Sequence, residues 1–247
     1  MYHQFILSCA ALGSMPAAPE TVSQKLVATI FSDTQAAVAS HSQNHPGVQA
    51  QCESFIAELR SLLSQGEILE HEVARILNAM RFAAEKHEGQ TRKSADHPPY
   101  IIHPIGVAHT LATLGQVRDP DVLIAALLHD TVEDTNTTFE EIRALFGERV
   151  EGIVRELTDD KSLPKDERKR LQIVNAPHKS PEAAQIKLSD KLYNLTDLCN
   201  DPPADWSTER IDNYFRWAQQ VVDALPEVNA PLKQAVDEII AGYFTNL

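Results

Sequence analysis

The 247-residue sequence has little cysteine and little glycine, and it has no long apolar run. Its three cysteines, Cys9, Cys52 and Cys199, are far apart and form no C-x-x-C pair, which argues against a disulfide framework and a thiolate zinc site. No apolar segment approaches the roughly 18–20 residues that a membrane-spanning helix needs. We therefore expect a cytoplasmic protein that binds no membrane.

Basic residues are also scarce, since 22 Lys and Arg stand against 35 Asp and Glu, for a formal net charge of −13. Nonspecific nucleic-acid binding depends on clustered basic residues, so a nucleic acid is not an expected partner. The sequence also lacks a glycine-rich phosphate loop, which excludes nucleotide binding through a Walker or Rossmann motif. Ten histidines, in contrast, make a metal site worth seeking.

Apolar residues recur at helical spacing along most of the chain, and alternating strand patterns are missing. The predicted fold class is therefore all-α. We expect residues 1–65 to form an N-terminal extension, with a flexible lead-in over 1–20 and two helices at 21–40 and 48–63. Residues 66–247 are expected to form the main domain. Its predicted helices cover residues 68–87, 104–114, 121–133, 138–146, 150–158, 181–200, 207–225 and 231–244.

The strongest chemical feature is the segment L-L-H-D-T-V-E-D-T at residues 127–135, which follows an apolar stretch that we expect to be buried. On a continuous helix, four ionisable residues of this segment would share one face: His129, Asp130, Glu133 and Asp134. Burying several charges without a counter-ion is costly, so this face either points to water or holds a cation. From this segment alone, a solvated helix end and a metal site both stay open.

Two distant segments contribute further candidate ligands. His103 lies in Y-I-I-H-P at residues 100–104, and Asp190 lies in K-L-S-D-K-L-Y-N-L at residues 187–195. Together with His129 and Asp130 they make a set of two imidazoles and two carboxylates. A mixed nitrogen and oxygen set without thiolate favours Mn²⁺ or Fe²⁺, with catalytic Zn²⁺ as an alternative.

These segments, together with Arg92-Lys93 and L-T-D-D-K at 157–161, resemble the HD phosphohydrolase superfamily over residues 68–245. Within it they look most like the small alarmone hydrolases of the animal type. The resemblance implies an HD-domain helical bundle that uses a single Mn²⁺. It also implies hydrolysis of the 3′-pyrophosphate of guanosine 3′,5′-bis(diphosphate) or its pentaphosphate, which yields GDP or GTP and pyrophosphate. Such a protein would degrade this alarmone of the stringent response without synthesising it.

The resemblance also implies roles for individual residues. The metal ligands would be His103, His129, Asp130 and Asp190. Glu133 and Asp134 would position and deprotonate the attacking water. The nucleotide would be contacted by Arg92, Lys93, Lys165, Asn194, Arg210 and Tyr214.

Several alternatives stay open at this point. Animal-type relatives also suggest removal of the 2′-phosphate of NADPH at the same site, and a nucleotide-binding sensor without catalysis is a third reading. An oligomer is compatible with the sequence. The basic segment 161–170 holds five basic and two acidic residues, and in it Arg168 to Arg170 read equally well as a solvated helix face. The histidines outside the ligand set, His87 among them, are interpreted as surface or structural residues.

Overall fold

The computed structural model describes residues 22–245, so the predicted lead-in over residues 1–20 lies outside the described residues. Within the described range the chain forms α-helices and one 3₁₀ turn, and no strand, which confirms the all-α class. The helices are α1 (Val22–His41), α2 (Pro46–Gln65), α3 (Glu70–Lys86), α4 (Ile102–Thr113), α5 (Pro120–Leu128), α6 (Thr131–Asp134), α7 (Phe139–Phe146), α8 (Glu148–Leu157), α9 (Lys165–Asn175), α10 (Pro181–Asn200), α11 (Thr208–Ala224) and α12 (Ala230–Thr245). The 3₁₀ turn at Ala176–His178 precedes α10.

Side-chain caps fix the starts of the three helices α7, α10 and α11. The hydroxyl groups of Thr138, Ser180 and Ser207 accept hydrogen bonds from the backbone N–H groups at the starts of α7, α10 and α11. Each cap satisfies a donor that a helix end would otherwise leave unpaired, which stabilises the helix by about 1 kcal/mol. Local sequence therefore determines where these helices begin.

Helix α5 is the centre of the bundle. All residues from Val122 to Leu128 are buried, and the helix packs against α3, α4, α8 and α10. This agrees with its apolar sequence on every face. Because α4 and α10 both touch α5, side chains at the end of α5 can meet side chains from those two helices.

The prediction of one helix over residues 121–133 is wrong. The structure ends α5 at Leu128 and begins α6 at Thr131, so His129 and Asp130 lie at the break between them. Two side chains compete with the helical hydrogen bonds there. His129 Nδ1 donates to the carbonyl of Ala126 over 2.7 Å, and the hydroxyl of Thr131 donates to the carbonyl of Leu128 over 2.7 Å. In such local bonds a carbonyl accepts a hydrogen from a side chain instead of from the backbone N–H group of the next helical turn, and this disfavours continuation of the helix.

The two helices of the predicted N-terminal extension pack on the main bundle. Helix α1 lies against α3, and α2 lies against α4. Phe31, Phe55 and Leu59 belong to the same continuous hydrophobic cluster as the residues of α5. The described part of the extension therefore shares one core with the residues that follow it.

Helix α9 has no predicted counterpart. None of its residues is buried, so its sequence carries no apolar stripe that periodicity could detect. The other helix ends differ from prediction by a few residues. No helix in residues 22–245 combines the length and the apolar character that crossing a membrane would require.

Candidate metal and nucleotide site

His103 lies in the first turn of α4 and is 1% exposed. Its ring packs edge-on against His129 and Tyr193, with centroid distances of 5.1 Å in both pairs. Close approach of α4 to α10 makes this possible, because a Cβ on Gly106 would lie 2.0 Å from the Tyr193 ring. Burial lowers the pKa of His103 to about 4, so its imidazole is neutral at pH 7 and free to ligate a metal.

His129 and Asp130 meet His103 at the break between α5 and α6. Nε2 of His129 lies 3.0 Å from Oδ2 of Asp130, and Nε2 of His103 lies 3.5 Å from the same oxygen. Ligand atoms of these three residues all lie within 4.8 Å of one another. Two imidazoles and a carboxylate therefore converge on one point, and they could hold a metal ion.

The surroundings of His129 suit a cation. Its Nδ1 hydrogen is used by the Ala126 carbonyl, so Nε2 of the neutral ring carries a lone pair that faces Asp130. This buried Nε2 has no hydrogen-bond partner among residues 22–245. Burial would lower the pKa of His129, but Asp130 and Asp190 raise it. A positive charge between the ring and the carboxylates is thus favoured, and a divalent cation would supply it.

Asp190 is brought to the cluster by α10 and is buried. Its Oδ1 lies 3.3 Å from Nε2 of His103 and accepts a 2.6 Å hydrogen bond from Asn194. Its Oδ2 faces the buried ammonium groups of Lys191 at 3.3 Å and Lys187 at 3.6 Å. Burial would raise the pKa of Asp190, but the two lysines lower it well below its usual range, so the carboxylate stays ionised.

Glu133 and Asp134 lie on the short helix α6, directly after the cluster. Oε2 of Glu133 accepts a hydrogen bond from the backbone N–H of Asp159 at 3.1 Å, and Oε1 lies 3.4 Å from the Arg168 guanidinium. The Asp134 carboxylate pairs with Lys161. Burial, together with Asp159, Asp130 and Asp134, raises the pKa of Glu133. Arg168 is therefore in contact with an acid of the site rather than merely on a solvated face.

Two adjoining cavities open beside the cluster. The first, of about 600 Å³, includes Tyr100 and Asn194 in its wall, and these side chains donate to Asp130 and Asp190. The second, of about 440 Å³, shares Lys93, Trp206 and Tyr214 with the first. All six residues predicted to contact a nucleotide line one cavity or both: Arg92, Lys93, Lys165, Asn194, Arg210 and Tyr214.

Arg92 occupies a fixed position in the wall of the first cavity. Its guanidinium donates to Oδ1 of Asn194 over 2.6 Å and to Oδ2 of Asp197 over 2.8 Å. Asn194 in turn donates to Asp190, so an unbroken chain of hydrogen bonds joins Arg92 to the cluster. The arrangement holds a positive charge in the wall of the first cavity, two hydrogen bonds away from Asp190.

Sequence reasoning missed three residues that the structure places here. Trp206 lines both cavities, and Gln90 lines the first. His87, interpreted as a surface or structural residue, is 2% exposed and packs against Tyr100 beside the cluster. These residues carry no spacing signal, because loops rather than a shared helix bring them to the site.

The chain is similar in sequence and in fold to known proteins. A family model described as an HD domain matches residues 79–215. The guanosine-3′,5′-bis(diphosphate) 3′-pyrophosphohydrolase MESH1 of Xenopus tropicalis is 55% identical over 168 residues, which cover 68% of this chain and 94% of that protein. MESH1 of Homo sapiens is 52% identical with the same coverage.

A solved structure is also similar to this chain in both fold and sequence. Its description reads "a metazoan ortholog of SpoT hydrolyzes ppGpp and plays a role in starvation responses". The match has a TM-score of 0.67 at 49% sequence identity, and it covers 69% of this chain and 96% of that chain.

An all-helical bundle whose buried His and Asp side chains converge beside a cavity defines the class of metal-dependent HD domains. The chain belongs to the HD domain family and, within it, to the group that contains the MESH1 proteins. This confirms the resemblance found in the sequence. About a third of the chain lies outside these matches.

Proposed function

We propose that this protein is a metal-dependent 3′-pyrophosphohydrolase of guanosine 3′,5′-bis(diphosphate) and its pentaphosphate, acting in the cytoplasm. The observation that carries the proposal is the convergence of His103, His129, Asp130 and Asp190 beside a cavity whose wall includes Arg92 and Lys93. The relatives that share this chain's HD domain are named for the same reaction.

His103, His129, Asp130 and Asp190 would hold one divalent ion, and Mn²⁺ fits the mixed nitrogen and oxygen set. A bound divalent ion polarises a phosphoryl oxygen and makes water more acidic. The charge balance favours a phosphate ligand. Lys187 and Lys191 already oppose the charge of Asp190, so much of the double charge of a bound cation would remain available to a pyrophosphate.

Glu133 and Asp134 would orient the attacking water and take its proton. The raised pKa of Glu133 suits a general base, since a base works best when its pKa lies near the working pH. The water oxygen would attack the phosphorus bonded to the ribose 3′-oxygen. The bond between this phosphorus and the 3′-oxygen would break, the 3′-oxygen would receive a proton, and GDP and pyrophosphate would leave.

The basic side chains of the cavities would bind the rest of the nucleotide. Arg92 and Lys93 lie in the wall nearest the cluster, while Lys165 and Arg210 lie in the second cavity beside Tyr214. Guanidinium and ammonium groups recognise phosphate oxygens through charge-assisted hydrogen bonds. Asn194 would connect the nucleotide-binding wall to the metal ligands, because it lines the first cavity and donates to Asp190.

The test is an assay of the purified chain with guanosine 3′,5′-bis(diphosphate) and Mn²⁺, in which GDP and pyrophosphate are quantified and NADPH is offered as a competing substrate. We expect equal amounts of both products and a higher kcat/KM than for NADPH. Asp130→Ala should lose Mn²⁺ binding and turnover, whereas Glu133→Gln should keep Mn²⁺ and lose turnover by roughly 10²–10⁴-fold. A Mn²⁺-loaded protein that releases no pyrophosphate would overturn the proposal.

A further inference from the structure

His87 directly follows the last residue of α3 and lies beside the cluster, although the proposed function assigns it no role. The side chain is 2% exposed, and its Nε2 has no hydrogen-bond partner among residues 22–245. An unpaired buried nitrogen lowers stability. A phenyl ring would fill the same space without that cost, so packing alone does not explain an imidazole at this position.

The other nitrogen of His87 reaches Asp134 through Gln90. The Gln90 amide nitrogen donates to the backbone carbonyl of Asp134 over 2.8 Å, which leaves its oxygen, Oε1, as an acceptor. Nδ1 of His87 lies 2.8 Å from this oxygen and therefore carries the hydrogen. His87 thus fixes the orientation of the Gln90 amide, and Gln90 holds the end of α6 where Asp134 lies.

The ring of His87 reaches Asp130 through Tyr100. The His87 and Tyr100 rings pack with centroids 4.8 Å apart. The Tyr100 hydroxyl donates to Oδ2 of Asp130 over 2.6 Å. One buried side chain therefore supports both a candidate metal ligand and a candidate water-activating acid, along two separate routes.

We propose that His87 is a positioning residue that holds Asp130 through Tyr100 and Asp134 through Gln90. The inference rests on the proposed function for the role of Asp134, while the support of Asp130 concerns metal binding alone. Groups that orient metal ligands typically change metal affinity or activity by 10–100-fold when they are removed.

Two substitutions separate the two routes. His87→Phe keeps a ring against Tyr100 but cannot donate to Gln90, so kcat at saturating Mn²⁺ should fall about tenfold, with Mn²⁺ affinity near that of the wild type. His87→Asn keeps a donor near the position of Nδ1 but loses the ring, so Mn²⁺ affinity should fall about tenfold, with kcat at saturating Mn²⁺ near that of the wild type. KM for the alarmone should change less than kcat does in His87→Phe, and less than Mn²⁺ affinity does in His87→Asn.

Mn²⁺ affinity is measured by electron paramagnetic resonance, and thermal unfolding is recorded for each variant. His109→Phe is the matched control, since His109 is half-buried on α4 and contacts Gln51 instead of the site. A merely structural His87 would give two variants that differ from the wild type in melting temperature only, and this result would overturn the inference. If the wild type hydrolyses no alarmone, the proposed function fails, and the Mn²⁺ affinity of His87→Asn alone decides the inference.

Discussion

The Tyr100 hydroxyl donates to Oδ2 of Asp130, the oxygen that also faces Nε2 of both His103 and His129. Burial and the Asp130 charge raise the pKa of Tyr100 well above its usual range, so the hydroxyl keeps its hydrogen. The chain therefore fixes the carboxylate through a residue outside the ligand set.

Replacing Tyr100 by Phe keeps the ring and removes this hydrogen bond. We expect Mn²⁺ affinity to fall by about tenfold, with a smaller change in stability. Titration calorimetry with Mn²⁺ measures the effect. Tyr243→Phe is the control, because its hydroxyl donates to Asp212 away from both cavities. Equal affinity in Tyr100→Phe and the wild type would show that Asp130 needs no such support.

The acid limb of the pH–rate profile follows from the environment of Glu133. Burial raises its pKa and the nearby Asp159 carboxylate adds to this effect, while the Asp159 backbone N–H opposes it. A base must be deprotonated, so kcat at saturating Mn²⁺ should fall on acidification with a midpoint above the usual Glu value of about 4.3.

Asp159→Asn sharpens this test, because it removes a negative charge and retains the backbone donor to Glu133. The midpoint should move to lower pH in this variant, since the ionised form of Glu133 is then less disfavoured. Rates recorded from about pH 3 to about pH 8, a range that includes the usual Glu pKa of about 4.3, measure the shift. An unchanged midpoint would mean that another group controls the limb.

Arg92→Lys tests nucleotide binding in the first cavity. Lysine keeps the charge but cannot donate to Asn194 and Asp197 with the same planar group. We expect KM for the alarmone to rise about tenfold, the equivalent of one charge-assisted hydrogen bond, with a smaller change in kcat. Arg118→Lys is the control, since Arg118 bonds Glu67 and the Ala112 carbonyl. A KM equal to that of the wild type would remove Arg92 from the binding site.

The packing of α1 and α2 predicts that they unfold together with the rest of the bundle. Phe55 of α2 is fully buried, so Phe55→Ala should lower the free energy of unfolding by about 3–5 kcal/mol in a single transition. Leu69→Ala, at an exposed position, should change it by less than about 0.5 kcal/mol. Urea denaturation followed by circular dichroism measures both. A separate early transition for the helices, with activity intact, would show that residues 22–65 form an independent unit.

Periodicity predicted the class and most helices, because the core residues of helices such as α3 and α11 repeat at helical spacing. It could not predict the break after Leu128, where His129 and Thr131 take carbonyls that a helix would use. Asp130 lies at that break, where its carboxylate faces His103 and His129. Motif resemblance supplied the ligand set, whereas the supporting contacts of Tyr100, Gln90 and His87 depend on loop geometry.

The most direct test of the central claim is hydrolysis of guanosine 3′,5′-bis(diphosphate) in ¹⁸O-labelled water with Mn²⁺, followed by mass spectrometry of both products. If water activated by Glu133 and Asp134 attacks phosphorus, the label appears in pyrophosphate and GDP stays unlabelled. Glu133→Gln should give the same pattern at a much lower rate. Label in the ribose of GDP, or orthophosphate in place of pyrophosphate, would contradict the account.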